Sequence, residues 1–312
     1  MGIKATREAY GEALAEFGAD NRIIVLDCDL SKSTKTDTFK KVYPERFINC
    51  GIAEANMMCV SAGLATTGKI VFASSFAMFA AGRAFEQVRN SIGYPHLNVK
   101  ICATHAGLSV GEDGASHQCN EDITLMSVIP GMVVLCPADA TEARACVKAA
   151  IEHYGPVYIR LSRMGVEDIY NKDNFNFEIG KGKMISDGCD VTIIATGIMV
   201  SEAIKAEKLL DDEGISARVI DMTSLKPIDK DIIVKAAKET GCIVTAEEHS
   251  IIGGLGSLVA SVLATECPVP LKMVGVNDKF GRSGTVKAVL EAYGLTAENI
   301  VNNVKEVIKL KK

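Results

Sequence analysis

Residues 69–103, KIVFASSFAMFAAGRAFEQVRNSIGYPHLNVKICA, decide how the chain folds. Two short apolar runs, 69–73 and 98–103, flank a helical pattern over 77–91. Apolar β-branched runs of this length read as buried strands. The same alternation extends in both directions. Toward the amino terminus lie a strand at 22–27 (RIIVLD) and a helical pattern at 55–67. Before them Tyr10, Ala13, Leu14 and Phe17 fall at i, i+3, i+4 and i+7, again a helix. Toward the carboxyl terminus, strands at 132–136 and 157–161 enclose a helix at 141–152. Near-continuous apolar strands alternating with helices predict an α/β fold, with a mostly parallel sheet covered on both faces.

The alternation lapses over 166–183, where Asn171, Lys172, Asp173, Asn174 and Asn176 mark a polar linker. A second set then begins, with strands at 190–196, 217–221, 242–247 and 271–275. Val286, Val289, Leu290 and Tyr293 fit one helix, and Ile300, Val304, Val307 and Ile308 the last. Two α/β domains are therefore expected, 1–165 and 184–312. A length of 312 residues agrees, at roughly 150 residues per domain.

Composition narrows the function classes. Hydrophobic residues make up 48% and charged residues 23%, the balance of an ordinary globular protein rather than a disordered one. The net charge is −5 with no basic block, so neither nucleic acid nor an anionic membrane is an expected partner. No apolar stretch is long enough to span a bilayer, and the first 22 residues are too charged for a signal peptide. The ten cysteines form no CxxC pair. Cys59, Cys102, Cys136 and Cys242 sit in apolar contexts, so reduced, buried thiols in a cytoplasmic protein are expected.

Ligands of open α/β sheets bind beyond the carboxyl ends of the strands. After the strand at 98–103 comes THAGLSVGEDGASHQ, residues 104–118. It holds Gly107, Gly111 and Gly114, two of the five histidines, and Glu112 and Asp113 between them. Glycines allow close backbone approach to a ligand, and a histidine beside a carboxylate suits proton transfer. The loop is either functional or a polar surface loop, and no HxH, HxxxH or HExxH spacing argues for a metal.

Glu54 opens a helix in an uncharged segment. On its own it reads first as a carboxylate favoured by the helix dipole, and second as a proton-sharing group. Phe72, Phe76, Phe79 and Phe85 are four of the ten phenylalanines, either plain core or a surface for a flat ring. Arg7, Ser31, Ser33, Thr34 and Arg163 lie where a phosphate or carboxylate would sit, though a lone arginine is more often a solvated surface group. GGLG at 253–256 either cradles an anion at a helix start or serves close packing. No GxGxxG, GxxxxGK[ST] or GxSxG pattern is completed.

Together these segments resemble one family. ATREA from Ala5, DCDLSKS from Asp27, FINCGIAEANM from Phe47, GLSVGEDGASHQ from Gly107, CPAD from Cys136 and LSR from Leu161 resemble the pyrimidine-binding domain of transketolase. EEH from Glu247 and GGLG from Gly253 look like the carboxy-terminal transketolase domain. The resemblance covers nearly the whole chain. It implies ketol transfer between sugar phosphates with thiamine diphosphate and a divalent metal.

By that resemblance Glu54 hydrogen-bonds the aminopyrimidine ring and favours its imino tautomer, while Phe76 and Phe79 flank the ring. Asp113 matches the carboxylate that binds the substrate hydroxyl, and His117 the histidine near the reacting oxygen. Arg7, Ser33, His105 and Arg163 match the sugar-phosphate set, and Asp29 a carboxylate near the cofactor. A third ring-pocket aromatic is not evident, with Gly82 and Arg83 in its region and Phe85 as the candidate substitute.

The family's GDG…N motif for Mg²⁺ and diphosphate is not found, and the nearest string is GEDG from Gly111. The resemblance therefore implies that a separate amino-terminal subunit supplies the metal site, with two copies of each chain. The competing readings are a deoxyxylulose-phosphate synthase, a 2-oxoacid dehydrogenase β subunit, and a regulatory subunit that kept the fold.

Overall fold

In the computed structural model, which describes residues 2–311, the apolar runs pair mainly side by side in parallel. In chain order the strands are β1 (Ile3–Ala5), β2 (Ile23–Asp27), β3 (Phe47–Asn49), β4 (Ile70–Phe76), β5 (Val99–Thr104), β6 (Val133–Leu135), β7 (Val157–Arg160), β8 (Gly165–Glu167), β9 (Lys183–Ser186), β10 (Val191–Ala195), β11 (Ala217–Asp221), β12 (Ser224–Lys226), β13 (Ile243–Ser250) and β14 (Leu271–Val276).

The larger sheet has the order β12-β6-β7-β5-β4-β2-β3, with every pairing parallel except β12 on β6. The second sheet has the order β14-β13-β10-β11-β9, with only β9 antiparallel. β4 is buried along its whole length, as a central parallel strand covered on both faces must be. Register aligns the carboxyl ends. Asp27 lies opposite Asn49 and Ser74, Phe76 opposite Thr104, and Ala103 opposite Arg160. One edge of the sheet thus presents the loops that carry the candidate residues.

Helix Thr6–Phe17 buries Ala9, Tyr10, Ala13 and Leu14 against Ile23, Val25, Ala143 and Val147. The buried Tyr10 hydroxyl finds Ser74 Oγ at 2.6 Å. The fully buried stripe of Ile300, Val304 and Val307 on helix Ala297–Ile308 packs on the second sheet.

Three features depart from the sequence expectation. The segment read as one helix over 77–91 is wound as π-helical turns at Met78–Arg83 and Val88–Gly93 around a short helix Phe85–Gln87. Such widened turns re-aim side chains and recur at functional sites. Second, β12 belongs by sequence to the second half yet closes the first sheet through Ser224 opposite Leu135. Third, the 166–183 stretch is tied down at its start. β8 pairs with β1, and Asp139 Oδ2 accepts the Ile169 and Tyr170 N–H groups at 2.8 Å each. The Tyr170 hydroxyl donates to Asp221 at 2.8 Å.

All ten cysteines are free thiols. Six are buried, but Cys59 is exposed, because the outer face of helix Glu54–Ala65 turns it away from the sheet. Among the described residues no helix is long and apolar enough to cross a membrane.

Candidate active site

The chain leaves β3 at Asn49, ties Cys50 N–H to Asp27 O at 2.8 Å, and enters helix Glu54–Ala65. No side chain caps this helix. Glu54 is the first residue of the helix, and it is only 2% exposed. A buried carboxylate needs partners. Ser75 at the end of β4 donates to Oε1 at 3.2 Å, and Arg83 donates to Oε2 at 2.9 Å. The Arg83 guanidinium, about half exposed, also lies 4.4 Å from the centre of the Phe79 ring. Arg83 is the residue that sequence reading left without a role. It sits 29 positions from Glu54, and no periodic pattern relates the two.

The widened turn after β4 builds a wall of rings beside this carboxylate. Phe76 and Phe79 stack with centroids 6.0 Å apart. His105 stacks on Phe76 at 3.8 Å, and the edge of His117 meets Phe79 at 5.3 Å. Phe76, Phe79, His105 and His117 thus converge. Phe85 does not join them. It packs into the apolar core behind, and no ring contact of Phe85 with Phe76 or Phe79 occurs among the described residues. The flat group that reaches Phe79 from the Phe85 region of the chain is instead Arg83.

Next to the ring wall lies a basic corner. Arg7 Nη1 donates to Ser33 O at 2.9 Å and to His105 Nε2 at 3.2 Å. An arginine can only donate. His105 Nε2 is therefore the acceptor, and Nδ1–H donates to Thr104 Oγ1 at 2.8 Å. His105 is 3% exposed, and burial, followed by the Arg7 and Arg163 charges, pushes its pKa down to about 3. It is a neutral ring whose Nε2 faces Arg7. Burial likewise lowers the pKa of Arg7, and its Nε is enclosed without a partner.

Ser33 contributes its carbonyl to Arg7 because the loop around it is folded inward by Asp27. That fully buried carboxylate accepts from Leu30 N–H at 2.6 Å, Thr34 Oγ1 at 2.7 Å and Thr36 Oγ1 at 2.9 Å. Burial raises its pKa, against the pull of these donors. Asp29 is exposed in a left-handed conformation, φ 65°, and pairs reciprocally with Asn49 at 2.9 and 3.0 Å.

Arg163, just beyond β7, donates to Val110 O and approaches Glu112 at 3.4 Å. Asp113 is exposed on the same loop, and His117 Nδ1 lies 3.0 Å from Ser116 Oγ. The GGLG start of helix Leu255–Glu266 is filled, but by a carboxyl group of the protein itself. Glu247 accepts from Leu255 N–H at 2.7 Å and Gly256 N–H at 2.8 Å, while burial pushes its pKa up to about 8. Among the described residues no group of three or more His, Cys, Asp or Glu side chains is placed to hold a metal ion.

A buried carboxylate facing a ring wall, beside a corner with an unpartnered guanidinium N–H, suits a flat cationic or heteroaromatic ring and a nearby anion. Comparison with known proteins points the same way. The family model described as the transketolase pyrimidine-binding domain matches residues 3–167, and that of the transketolase C-terminal domain matches residues 180–300. A Methanocaldococcus jannaschii protein provisionally named a transketolase C-terminal section is 52% identical over 309 residues, covering 98% of this chain and 97% of that one. A 6-deoxy-6-sulfo-D-fructose transketolase subunit of a Clostridium species is 43% identical over 306 residues, covering 98% and 95%. A solved structure titled as a split gene transketolase, inactive beta4 tetramer, superposes with a TM-score of 0.93 at 59% identity, covering 99% of this chain and 100% of that one. The chain belongs to the transketolase family, whose pyrimidine-binding and C-terminal domains it carries in that order.

Proposed function

We propose that the chain is the carboxy-terminal subunit of a two-chain, thiamine-diphosphate-dependent transketolase that moves a two-carbon ketol unit between ketose and aldose phosphates. The observation that carries this reading is Glu54, buried at the edge of the Phe76–Phe79 wall with its carboxylate held by Ser75 and Arg83. The names of the Clostridium relative, a subunit, and of the split-gene structure support a partner chain. In this reading the proposed units are 1–165, a linker 166–183, and 184–312.

The residues present fit the cofactor's ring. Phe76 and Phe79 offer flat faces, and Glu54 Oε2 offers the acceptor that a ring nitrogen needs. Bound thiamine diphosphate supplies a nucleophilic carbon that accepts and releases the ketol unit. Glu54 shares a proton with the aminopyrimidine at Oε2. Asp29 stands on the cofactor side of the site. His117 hydrogen-bonds the reacting oxygen, and Asp113 binds the hydroxyl beside the substrate carbonyl. Arg7, aimed by His105 and by Ser33 O, turns its guanidinium to the sugar phosphate, and Arg163 adds a second. Mg²⁺ and the diphosphate belong to the amino-terminal subunit with its GDG…N motif, in an assembly of two copies of each chain. Ten free thiols suit a cytoplasmic setting.

The test mixes the chain with its amino-terminal partner, thiamine diphosphate and Mg²⁺, and supplies ketose and aldose phosphates in pairs. Ketol transfer by the pair supports the reading. Turnover only with pyruvate would shift it to a synthase or 2-oxoacid dehydrogenase. No turnover with any pair would make the chain a regulatory subunit.

A further inference from the structure

The glycines of the 107–114 loop face the second domain, not a ligand. A Cβ on Gly107 would collide with the Glu248 carboxyl group, and one on Gly114 with Ser283 Oγ. A Cβ on Gly111 would lie 3.1 Å from Val286 Cγ2 and 3.3 Å from Gly284 O. All three have φ near +75°, so a side chain there is disfavoured twice over.

Two buried side chains complete the junction. Glu248, at the end of β13 and 2% exposed, accepts the Ser109 N–H through Oε1. Gln118, 3% exposed, donates through Nε2 to Leu108 O at 3.2 Å, Gly111 O at 3.3 Å and Arg282 O at 3.0 Å. Arg160 anchors Glu248 in turn. Its Nη2 donates to Glu248 O at 2.9 Å and Cys119 O at 3.4 Å, its Nε donates to Asp122 at 2.9 Å, and its Nη1 lies 3.9 Å from Glu248 Oε2. The loop is therefore held from the carboxy-terminal side at two points, Ser109 by Glu248 and Gln118 through Arg282 O, while Arg160 of β7 holds Cys119 and Glu248 from the first sheet.

We propose that Glu248 is a positioning residue of the reaction: through the Ser109 N–H it sets the loop that carries Asp113 and His117. The carboxy-terminal domain is then the template on which the substrate side of the site is shaped, with Gln118 as its second anchor. The inference rests on the reading of Asp113 and His117 as substrate-facing groups. It separates two halves of the site. Glu54, Phe76 and Phe79 are held by β4 and the turn after it and have no hydrogen bond to Glu248, the edge of His117 on Phe79 being the contact through which the loop reaches them.

The experiment uses Glu248→Ala, Glu248→Gln and Gln118→Met. Gln118→Met keeps the side-chain length and removes the donor. Hydrogen exchange of the isolated chain is read over 104–118, and steady-state kinetics are read on the chain reconstituted with its partner. In Glu248→Ala the Ser109 amide is expected to exchange at least about tenfold faster. Its kcat/KM for a sugar phosphate is expected to fall by roughly tenfold or more, since small misplacements of reacting groups carry large penalties. The half-saturating thiamine diphosphate concentration is expected to stay within about twofold. Gln118→Met should show the same split, and Glu248→Gln, which keeps an oxygen for Ser109, should recover kcat/KM to within about threefold.

Unchanged exchange and unchanged kcat/KM in Glu248→Ala would overturn the inference. So would equal losses in sugar and cofactor parameters. Glu54→Gln, run alongside, separates this inference from the functional reading. If it keeps full turnover, the cofactor assignment falls, while faster Ser109 exchange in Glu248→Ala still upholds the anchoring.

Discussion

Replacing Glu54 with Gln isolates chemistry from folding, because the structure makes the two costs very different. The amide keeps the volume of the side chain and an oxygen for Ser75 Oγ, now 3.2 Å from Oε1. What is lost is the 2.9 Å bond from Arg83 to Oε2. Arg83 is about half exposed, so its guanidinium rehydrates and the loss resembles that of a surface pair, about 0–1 kcal/mol. For a chain of this size that moves Tm by roughly 4 °C at most.

The catalytic cost is larger. An amide cannot exchange a proton with a ring nitrogen, and a positioned proton-sharing group contributes about 10²–10⁴-fold in rate. That corresponds to roughly 3–5 kcal/mol on the barrier. The assay is turnover of the reconstituted pair at saturating thiamine diphosphate and Mg²⁺, followed by coupled oxidation of the released aldose phosphate, with a thermal melt of each chain. A variant within about threefold of wild type would refute the proton-sharing role. A melt lowered by more than about 10 °C would refute the claim that Arg83 tolerates the loss.

Other outcomes test the remaining parts of the site. Arg163→Ala is expected to raise KM for phosphorylated sugars by about 10–100-fold, the worth of a charge-assisted bond, with little change for unphosphorylated ones; an unchanged KM removes it from the phosphate site. Asp27→Ala strips the acceptor from Leu30, Thr34 and Thr36 and should cost about 2–4 kcal/mol in urea unfolding, with a raised sugar-phosphate KM as Ser33 drifts from Arg7; a loss below about 1 kcal/mol would show that the loop holds itself. His105, with a pKa near 3, should stay neutral from pH 8 to pH 5, and its ring NMR shifts should not titrate there. The sign for stability follows: the unfolded ring takes up a proton below about pH 6.5 while the folded one does not, so stability is lost as pH falls from 6.5 toward 3, and His105→Asn should flatten that part of the unfolding profile.

Much of this molecule is local in its sequence. Apolar runs such as 98–103 announce buried parallel strands because period and composition belong to a few neighbouring residues, and β5 appears at Val99–Thr104. The order of motifs also pointed to one sheet edge, since Glu54 opens the helix after β3, Phe76 ends β4 and His105 follows directly on β5. The widened turns after β4 were not legible, because an α and a π turn share nearly the same side-chain pattern and differ by where packing inserts a residue.

Chain order and periodicity thus determined the two-domain α/β plan, the family resemblance and the edge on which the candidate site stands. Tertiary packing alone decided that Arg83 meets Glu54, that His105 spends its free nitrogen on Arg7, and that the loop glycines make room for Glu248 and Ser283. Each of these joins residues far apart along the chain. Register and domain docking bring them within hydrogen-bond range, and neither is written in any local run of residues.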